Sequence, residues 1–370
     1  MRIAIAGGSM AGLFAAALLR QAGHEVQIFE RSVRGLEGRG AGLVVQQEVL
    51  TLLHRLRVPE VAAVGVVARD RITLGRDGNI IDLDPRSQMQ MSWDHLYVAV
   101  RMLLDDGIYQ GGRPVIGAVQ TDRAAWLELD VGTLIEADLV VGADGIGSAV
   151  RAAVLAGAVA PGQAGPSYAG YVAWRSLLPE DKLPAVADDM LTDRFAFYHM
   201  PGGQTLGYTV AGPNGELEAG KRRYNCVWYR RTPDLAGALT DRSGRVHAFS
   251  LPPGGVRAQA QEQLVADAKA LLPAPFAAVF AEEPQPFVQA IFDMETPVIA
   301  NRRLALIGDS AFVARPHTAM GVAKAAGDAF ALLRAVERGW TEEARATFDR
   351  ERRITGRAIV SLGRRLGASL

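Results

Sequence analysis

The chain has 370 residues, 49% of them apolar, which is enough for one large domain or two interleaved ones with a full core. Forty basic residues balance forty acidic ones, which argues against a nucleic-acid partner or an anionic membrane surface. A single cysteine, Cys226, excludes a disulfide framework and a CxxC redox pair, and six scattered histidines lack metal-ligand spacing, so no metal is expected.

Met1-Arg2 leads directly into a strand at Ile3 to Ala6, leaving no room for a cleavable signal. No apolar run reaches the length of a bilayer span, so a cytoplasmic protein is expected. Gly7-Gly-Ser-Met-Ala-Gly12 follows the strand and opens a helix with an apolar face from Leu13 to Leu19. Gly7 permits a tight turn and Gly12 a close approach of helix to sheet. Ser9, Met10 and Ala11 lie where backbone amides at a helix start can hold a pyrophosphate. The next strand, with Val26, Ile28 and Phe29, ends at Glu30 and Arg31. An acid about 20 residues after the glycines suits a ribose. These features together indicate dinucleotide binding without separating NAD from FAD.

Further along, Arg69 to Leu83 reads as a hairpin around a Gly-Arg-Asp-Gly turn at 75–78, and Trp93 to Leu104 as a helix. A second hairpin is predicted over Trp126–Val131 and Thr133–Ala137. The strand Asp138–Val141 then meets Gly142-Ala-Asp144-Gly145, followed by Ser148 and Arg151, which is either an ordinary helix-capping turn or a second ligand-binding strand end. From Tyr168 to Phe249 short strands alternate with Gly/Pro turns: Tyr171–Leu177, Arg194–His199, Thr205–Val210 and Arg222–Tyr229. Gln259–Leu272 is predicted helical.

Leu304 to Ile307 is a buried strand that stops at Gly308-Asp309. A loop with Pro316 and Gly321 follows, then an amphipathic helix from Val322 to Glu337. An acid at a strand end beside a glycine leading into a helix suits a polyol and a ring that carries negative charge. Glu342 to Leu366 is a basic amphipathic helix carrying Arg350, Arg352, Arg353, Arg357, Arg364 and Arg365. A solvated face is the expected role of these arginines, because the chain as a whole is neutral.

In order and spacing, the three motifs at Gly7, Asp144-Gly145 and Gly308-Asp309 resemble those of the class A flavoprotein aromatic hydroxylases of the para-hydroxybenzoate hydroxylase fold. Gly7-Gly-Ser, Gly40-Ala-Gly-Leu-Val-Val-Gln46, Tyr168-Ala-Gly-Tyr-Val-Ala-Trp-Arg175 and Arg315-Pro-His with Lys324 are similar to the 2,6-dihydroxypyridine 3-hydroxylase branch. The resemblance implies an α/β (α+β overall) fold. A Rossmann-like FAD-binding domain, at 1–68, 92–165 and 290–340, would interleave with a β-sheet substrate domain at 69–91 and 166–289. A helical tail would occupy 341–370.

It further implies FAD as cofactor, NAD(P)H as a transient co-substrate, and O2-dependent hydroxylation of a small hydroxylated aromatic or N-heteroaromatic compound through a flavin C4a-hydroperoxide. By this resemblance Glu30 would meet the adenosine ribose and Asp309 the ribityl chain. Gly321 and Val322 would face the flavin ring beside Pro316. Asp144 would support the pyrophosphate region, and Gln46 and Arg101 would touch the flavin. For catalysis three residues stand out: His199 as a base or an ordinary strand histidine, His317 in the flavin loop, and Arg175 near flavin and substrate or in a surface ion pair. Two departures stand out, Phe312 where many relatives carry histidine and Ala319-Met320-Gly321 where Gly-x-Gly is usual. Alternatives are a flavin oxidoreductase that does not hydroxylate and a flavin protein that binds or senses small aromatics. A monomer or homodimer is expected.

Overall fold

The computed structural model describes residues 1–33, 35–36, 42–158 and 164–370. Gly40 and Ala41 of the quoted Gly40–Gln46 segment lie outside this set. The fold is α/β, as expected. A six-stranded sheet runs in the order Ala300–Asn301, Leu304–Leu306, Leu139–Gly142, Arg2–Ala6, Glu25–Glu30, Tyr109–Gly111. All neighbours are parallel except the first pair. Strands buried on both faces read as continuous apolar runs, and Ile3–Ala6, Leu139–Gly142 and Leu304–Leu306 are fully buried. The helices Met10–Gln21 and Gly321–Glu337 pack on each other beside this sheet, which brings the two distant motifs together.

A nine-stranded sheet forms the other half, with the central order Phe287–Glu295, Ser167–Pro179, Arg223–Arg231, Gly203–Val210, Arg194–Met200, Asp70–Leu74. Alternation gives it two different faces. Trp174, Tyr198, Tyr224, Cys226 and Trp228 point to one side. There they form a core with the helices Ala185–Leu191, Ala258–Leu271 and Ala274–Glu282. The last of these helices was not anticipated from the sequence; Pro273 takes its N-cap position and Pro275 lies in its first turn, where proline costs no helical hydrogen bond. On the other side Arg175 stands opposite Val227, Val227 opposite Leu206, and Leu206 opposite Phe197.

The helix Glu342–Leu366 packs against Gly321–Glu337 and the strand Phe287–Glu295. Here the expectation of a merely solvated basic face is corrected. Arg352 Nε donates to buried Asp328 at 2.6 Å, and Arg364 pairs with Glu295 at 2.6 Å and Asp293 at 3.4 Å. Arg350, Arg357 and Arg365 are exposed. Phe312 is buried, and a Cβ on Gly356 of this helix would lie 2.5 Å from its ring, so the residue in the usual histidine position packs against the tail helix.

Candidate active site

At the N-terminal motif Gly7 adopts φ +97°, and a Cβ there would sit 2.4 Å from the Ala143 carbonyl oxygen. A Cβ on Gly12 would lie 2.0 Å from the Gly7 oxygen. The helix that starts after Ser9 has no side-chain cap and no acid in its first turn, which leaves its first amides for a ligand. Met10 and Ala11 are buried. Glu30 accepts from Gly8 N at 2.8 Å and Ser32 N at 2.9 Å, which fixes its carboxylate beside the glycine turn. Arg31 is exposed.

Arg101 lies on this side of the molecule. Its guanidinium stacks 4.5 Å over Tyr109, whose hydroxyl bonds that of Tyr97 at 3.0 Å beneath Gly8, and it donates to the Leu104 carbonyl and Asp106. It does not line the cavity described below. Asp144 is also absent from that lining, and its oxygens accept from the start of its own helix. Ser148 Oγ donates at 2.5 Å and Ala149 N at 2.7 Å. Burial nevertheless pushes its carboxyl above the usual range, against the pull of those hydrogen bonds. Arg151 donates to the Ser310 carbonyl at 3.2 Å and so props the Asp309 turn.

At the third motif Asp309 opens onto the cavity and accepts from buried Lys324 at 2.7 Å. Lys324 also donates to the Phe312 carbonyl. One turn on, Asp328 accepts from Gly308 N at 2.8 Å, which locks the strand end to the helix. Neither brace was anticipated as a functional element, although i, i+4 spacing of Lys324 and Asp328 places both on one helix face. Ala319 takes φ +52°, a left-handed conformation that the usual glycine would adopt freely, and Gln46 donates to its carbonyl at 2.9 Å. The helix Gly321–Glu337 begins without a side-chain cap or first-turn acid, and nothing lies within 4 Å of a Cβ on Gly321. Gly321, Val322 and Pro316 all line the cavity.

That cavity, of about 840 Å³, lies between this loop and the open face of the large sheet. Phe195, Phe197, Tyr208 and Tyr229 form its aromatic wall. Tyr198 and Trp228 belong instead to the opposite face. Arg175 lines it, its Nε buried and without a hydrogen-bond partner. His317 lines it too, its Nε2 2.9 Å from the Tyr171 hydroxyl and its ring 4.5 Å from that of Tyr229. Burial, with the Arg315 guanidinium beside it, lowers the His317 pKa to about 4, so the ring is neutral near neutral pH. The structure does not bring His199 to this cavity. It shares the sheet face with Phe197, but it is exposed and lies in a separate depression with Leu366, Ser369 and Leu370.

The residues present fit FAD. Two uncapped helix starts, a carboxylate beside a glycine turn, and a second carboxylate open to the cavity provide anion- and polyol-binding groups along one path. Among the described residues no helix is long and apolar enough to cross a membrane, and no metal-binding cluster occurs.

Comparison with known proteins agrees with this geometry. Residues 168–293 match the model of the FAD binding domain-like family. The chain is 33% identical over 344 residues to 2,6-dihydroxypyridine 3-monooxygenase of Paenarthrobacter nicotinovorans, covering 89% of this chain and 81% of that protein. It is 34% identical over 227 residues to 3-amino-4-hydroxybenzoate 2-monooxygenase of Streptomyces cremeus, covering 57% and 54%. The solved structure of 2,6-dihydroxypyridine-3-hydroxylase from Arthrobacter nicotinovorans superposes with a TM-score of 0.91 at 28% identity, covering all of this chain and 92% of that one. A salicylate hydroxylase shares the fold, with a TM-score of 0.75 at 18% identity. With glycine turn, flavin loop and aromatic cavity in one continuous arrangement, the chain belongs to the FAD-dependent aromatic monooxygenases, the class A flavoprotein hydroxylases.

Proposed function

We propose that this enzyme hydroxylates a small, already hydroxylated N-heteroaromatic ring of the hydroxypyridine type, with single-ring phenols as the neighbouring class. The observation that carries this reading is the cavity that sets the start of helix Gly321–Glu337 against Phe197, Tyr208 and Tyr229. Flat aromatic walls accept a planar ring, and a few polar groups at the edge orient it. The assignment to hydroxypyridines draws on the relative with 33% identity.

FAD, when bound, supplies reduction by NAD(P)H and activation of O2. The chain's own residues hold and orient. The Gly7–Gly12 turn and Glu30 would take the adenosine half, and Asp309, held by Lys324, the polyol. The amides of Gly321 and Val322 would place a positive helix end against the electron-rich edge of the ring. Arg175 and His317 would orient the substrate from the sheet side. With flavin and substrate filling the cavity, Phe197, Tyr208 and Tyr229 would shield the reacting ring from water, which favours transfer of oxygen to substrate over its loss to solvent.

The test is direct. Purified protein should carry the flavin absorbance spectrum and oxidise NADH or NADPH under O2 when hydroxypyridines are added. Mass spectrometry should find a product heavier by one oxygen atom. Hydroxypyridine-stimulated NAD(P)H oxidation with no oxygenated product would overturn the reading.

A further inference from the structure

A three-stranded antiparallel sheet, in the order Gly42–Val44, Gln88–Ser92, Val66–Ala68, packs on strand Gly203–Val210 and supplies Gly42, Leu43, Val44, Gln88 and Gln90 to the cavity lining. In its central strand, alternation sets Gln88, Gln90 and Ser92 on one face, while Met91 turns into the apolar core of the six-stranded half. Two of these three polar residues are engaged. Gln88 Oε1 accepts from Arg71 at 2.9 Å, and Ser92 Oγ accepts from His95 N at 3.4 Å as the cap of the next helix.

Gln90 is not engaged. It is 1% exposed, and its Nε2 is buried without a hydrogen-bond partner. Its Oε1 makes no hydrogen bond among the described residues and is not one of their buried unpartnered atoms, so it keeps access to the cavity that the residue lines. The side chains directly across the strand pairs are Val44 and Val66, which offer neither donor nor acceptor. The other glutamines among the described lining residues differ. Gln88 is taken by Arg71, Gln204 Nε2 lies 3.4 Å from His199 Nδ1, and Gln289 is exposed. Gln90 is therefore the one lining amide held away from water with both polar atoms unspent. Such a group is costly to bury unless a ligand completes it.

A carboxamide presents one donor and one acceptor side by side in a single plane. Its full complement is a ring edge with an adjacent acceptor and donor, the match by which glutamine reads adenine. A 2-hydroxypyridine in its 2-pyridone form has that edge, a C=O next to a ring N–H. Turning the amide by half a revolution exchanges its donor and acceptor, so the match holds in either sense. A phenol has one oxygen flanked by C–H and can meet only one of the two amide atoms at a time. Building on the reading of this cavity as the substrate site, we propose that Gln90 is a specificity-determining residue that reads the lactam edge of an N-heteroaromatic substrate, pairing Nε2–H with the ring C=O and Oε1 with the ring N–H. The preference for a nitrogen ring over a phenol then resides in the small sheet, apart from Arg175 and His317 on the other side of the cavity.

Ligand ratios test this. FAD-loaded enzyme is titrated calorimetrically with 2-pyridone, with 1-methyl-2-pyridone, whose ring nitrogen carries no proton, and with phenol. The expected result is 2-pyridone bound roughly 10–100-fold more tightly than either of the others, since each leaves a buried amide atom unmatched. Gln90→Leu should bring 2-pyridone and phenol to within about threefold of each other, because the variant wall rewards neither edge. Gln90→Glu, which only accepts when ionised, should lose the preference as well. Wild-type affinity for phenol or 1-methyl-2-pyridone equal to that for 2-pyridone would overturn the proposal, and this comparison requires no variant to fold. A Gln90→Leu enzyme that binds all three ligands more weakly by the same factor would overturn it too, because a residue that only supports the fold leaves the ratios unchanged. Oxygenated product is measured separately, so the hydroxylase reading stands or falls on its own.

Discussion

Asp309 and Lys324 meet at 2.7 Å from opposite surroundings: the lysine side chain is 2% exposed and the aspartate side chain 57%. The ammonium is spent inside the protein, on Asp309 and the Phe312 carbonyl. The carboxylate is thereby held in one orientation while keeping an oxygen for a ligand. Such preorganisation reduces the ordering cost of binding.

Lys324→Met should therefore weaken FAD binding by roughly 10–100-fold and lower stability by about 1–3 kcal/mol, since a buried carbonyl loses its donor and Asp309 its restraint. Flavin fluorescence titration and thermal melting read the two effects. FAD affinity equal to wild type in this variant would show that the pair does not position the cofactor.

Gly12 tests the nucleotide end. Its Cβ would be 2.0 Å from the Gly7 oxygen, a backbone atom of the tight turn after strand Arg2–Ala6 that has little freedom to move aside. Gly12→Ala should yield protein without bound flavin and with a lowered melting temperature. A yellow, fully loaded Gly12→Ala enzyme would contradict a tight turn at this point.

Arg175 and His199 make a paired prediction. Arg175 lines the cavity, and His199 lies outside it. Arg175→Met should reduce kcat/KM by roughly 10–100-fold with flavin content unchanged, the scale of one hydrogen bond to a charged group. His199→Ala should remain within about twofold of wild type, as expected for an exposed site. The reverse ranking in steady-state kinetics would return the catalytic role to His199.

His317 predicts a pH dependence of stability. Its folded pKa of about 4 lies below the unfolded value of about 6.5, so the unfolded chain takes up the proton first as pH falls. The contribution is complete above pH ~6.5 and is lost as pH falls toward 4, by up to ~3 kcal/mol. His24 and His95 are shifted in the same direction, chiefly by burial, so His317→Gln should flatten the slope without abolishing it. Chemical unfolding between pH 4 and 7.5 measures this, and an unchanged slope would rule out a buried neutral His317.

The sequence by itself was sufficient for the local devices. Apolar runs marked four strands of the six-stranded sheet but not Tyr109–Gly111 or Ala300–Asn301, alternation marked much of the large one but not Phe287–Glu295, and the glycine turns were legible because their backbone requirement is met by adjacent residues. Chain order was enough to identify the flavin loop and its helix. Tertiary structure decided what depends on partners far apart in sequence. Tyr171 meets His317 across 146 positions, and Gln46 reaches Ala319 across 273. Which face of the sheet met helices and which met the cavity separated Phe197 and Tyr229 from Tyr198 and Trp228. It likewise separated His317 from His199, two strand-and-loop histidines that looked equivalent as candidates. Only the fold shows that Asp144, worded as a ligand-binding acid, also accepts from the start of its own helix. A residue's type and spacing determine what it can bond. The packing of remote elements determines which of those bonds remains open to a ligand.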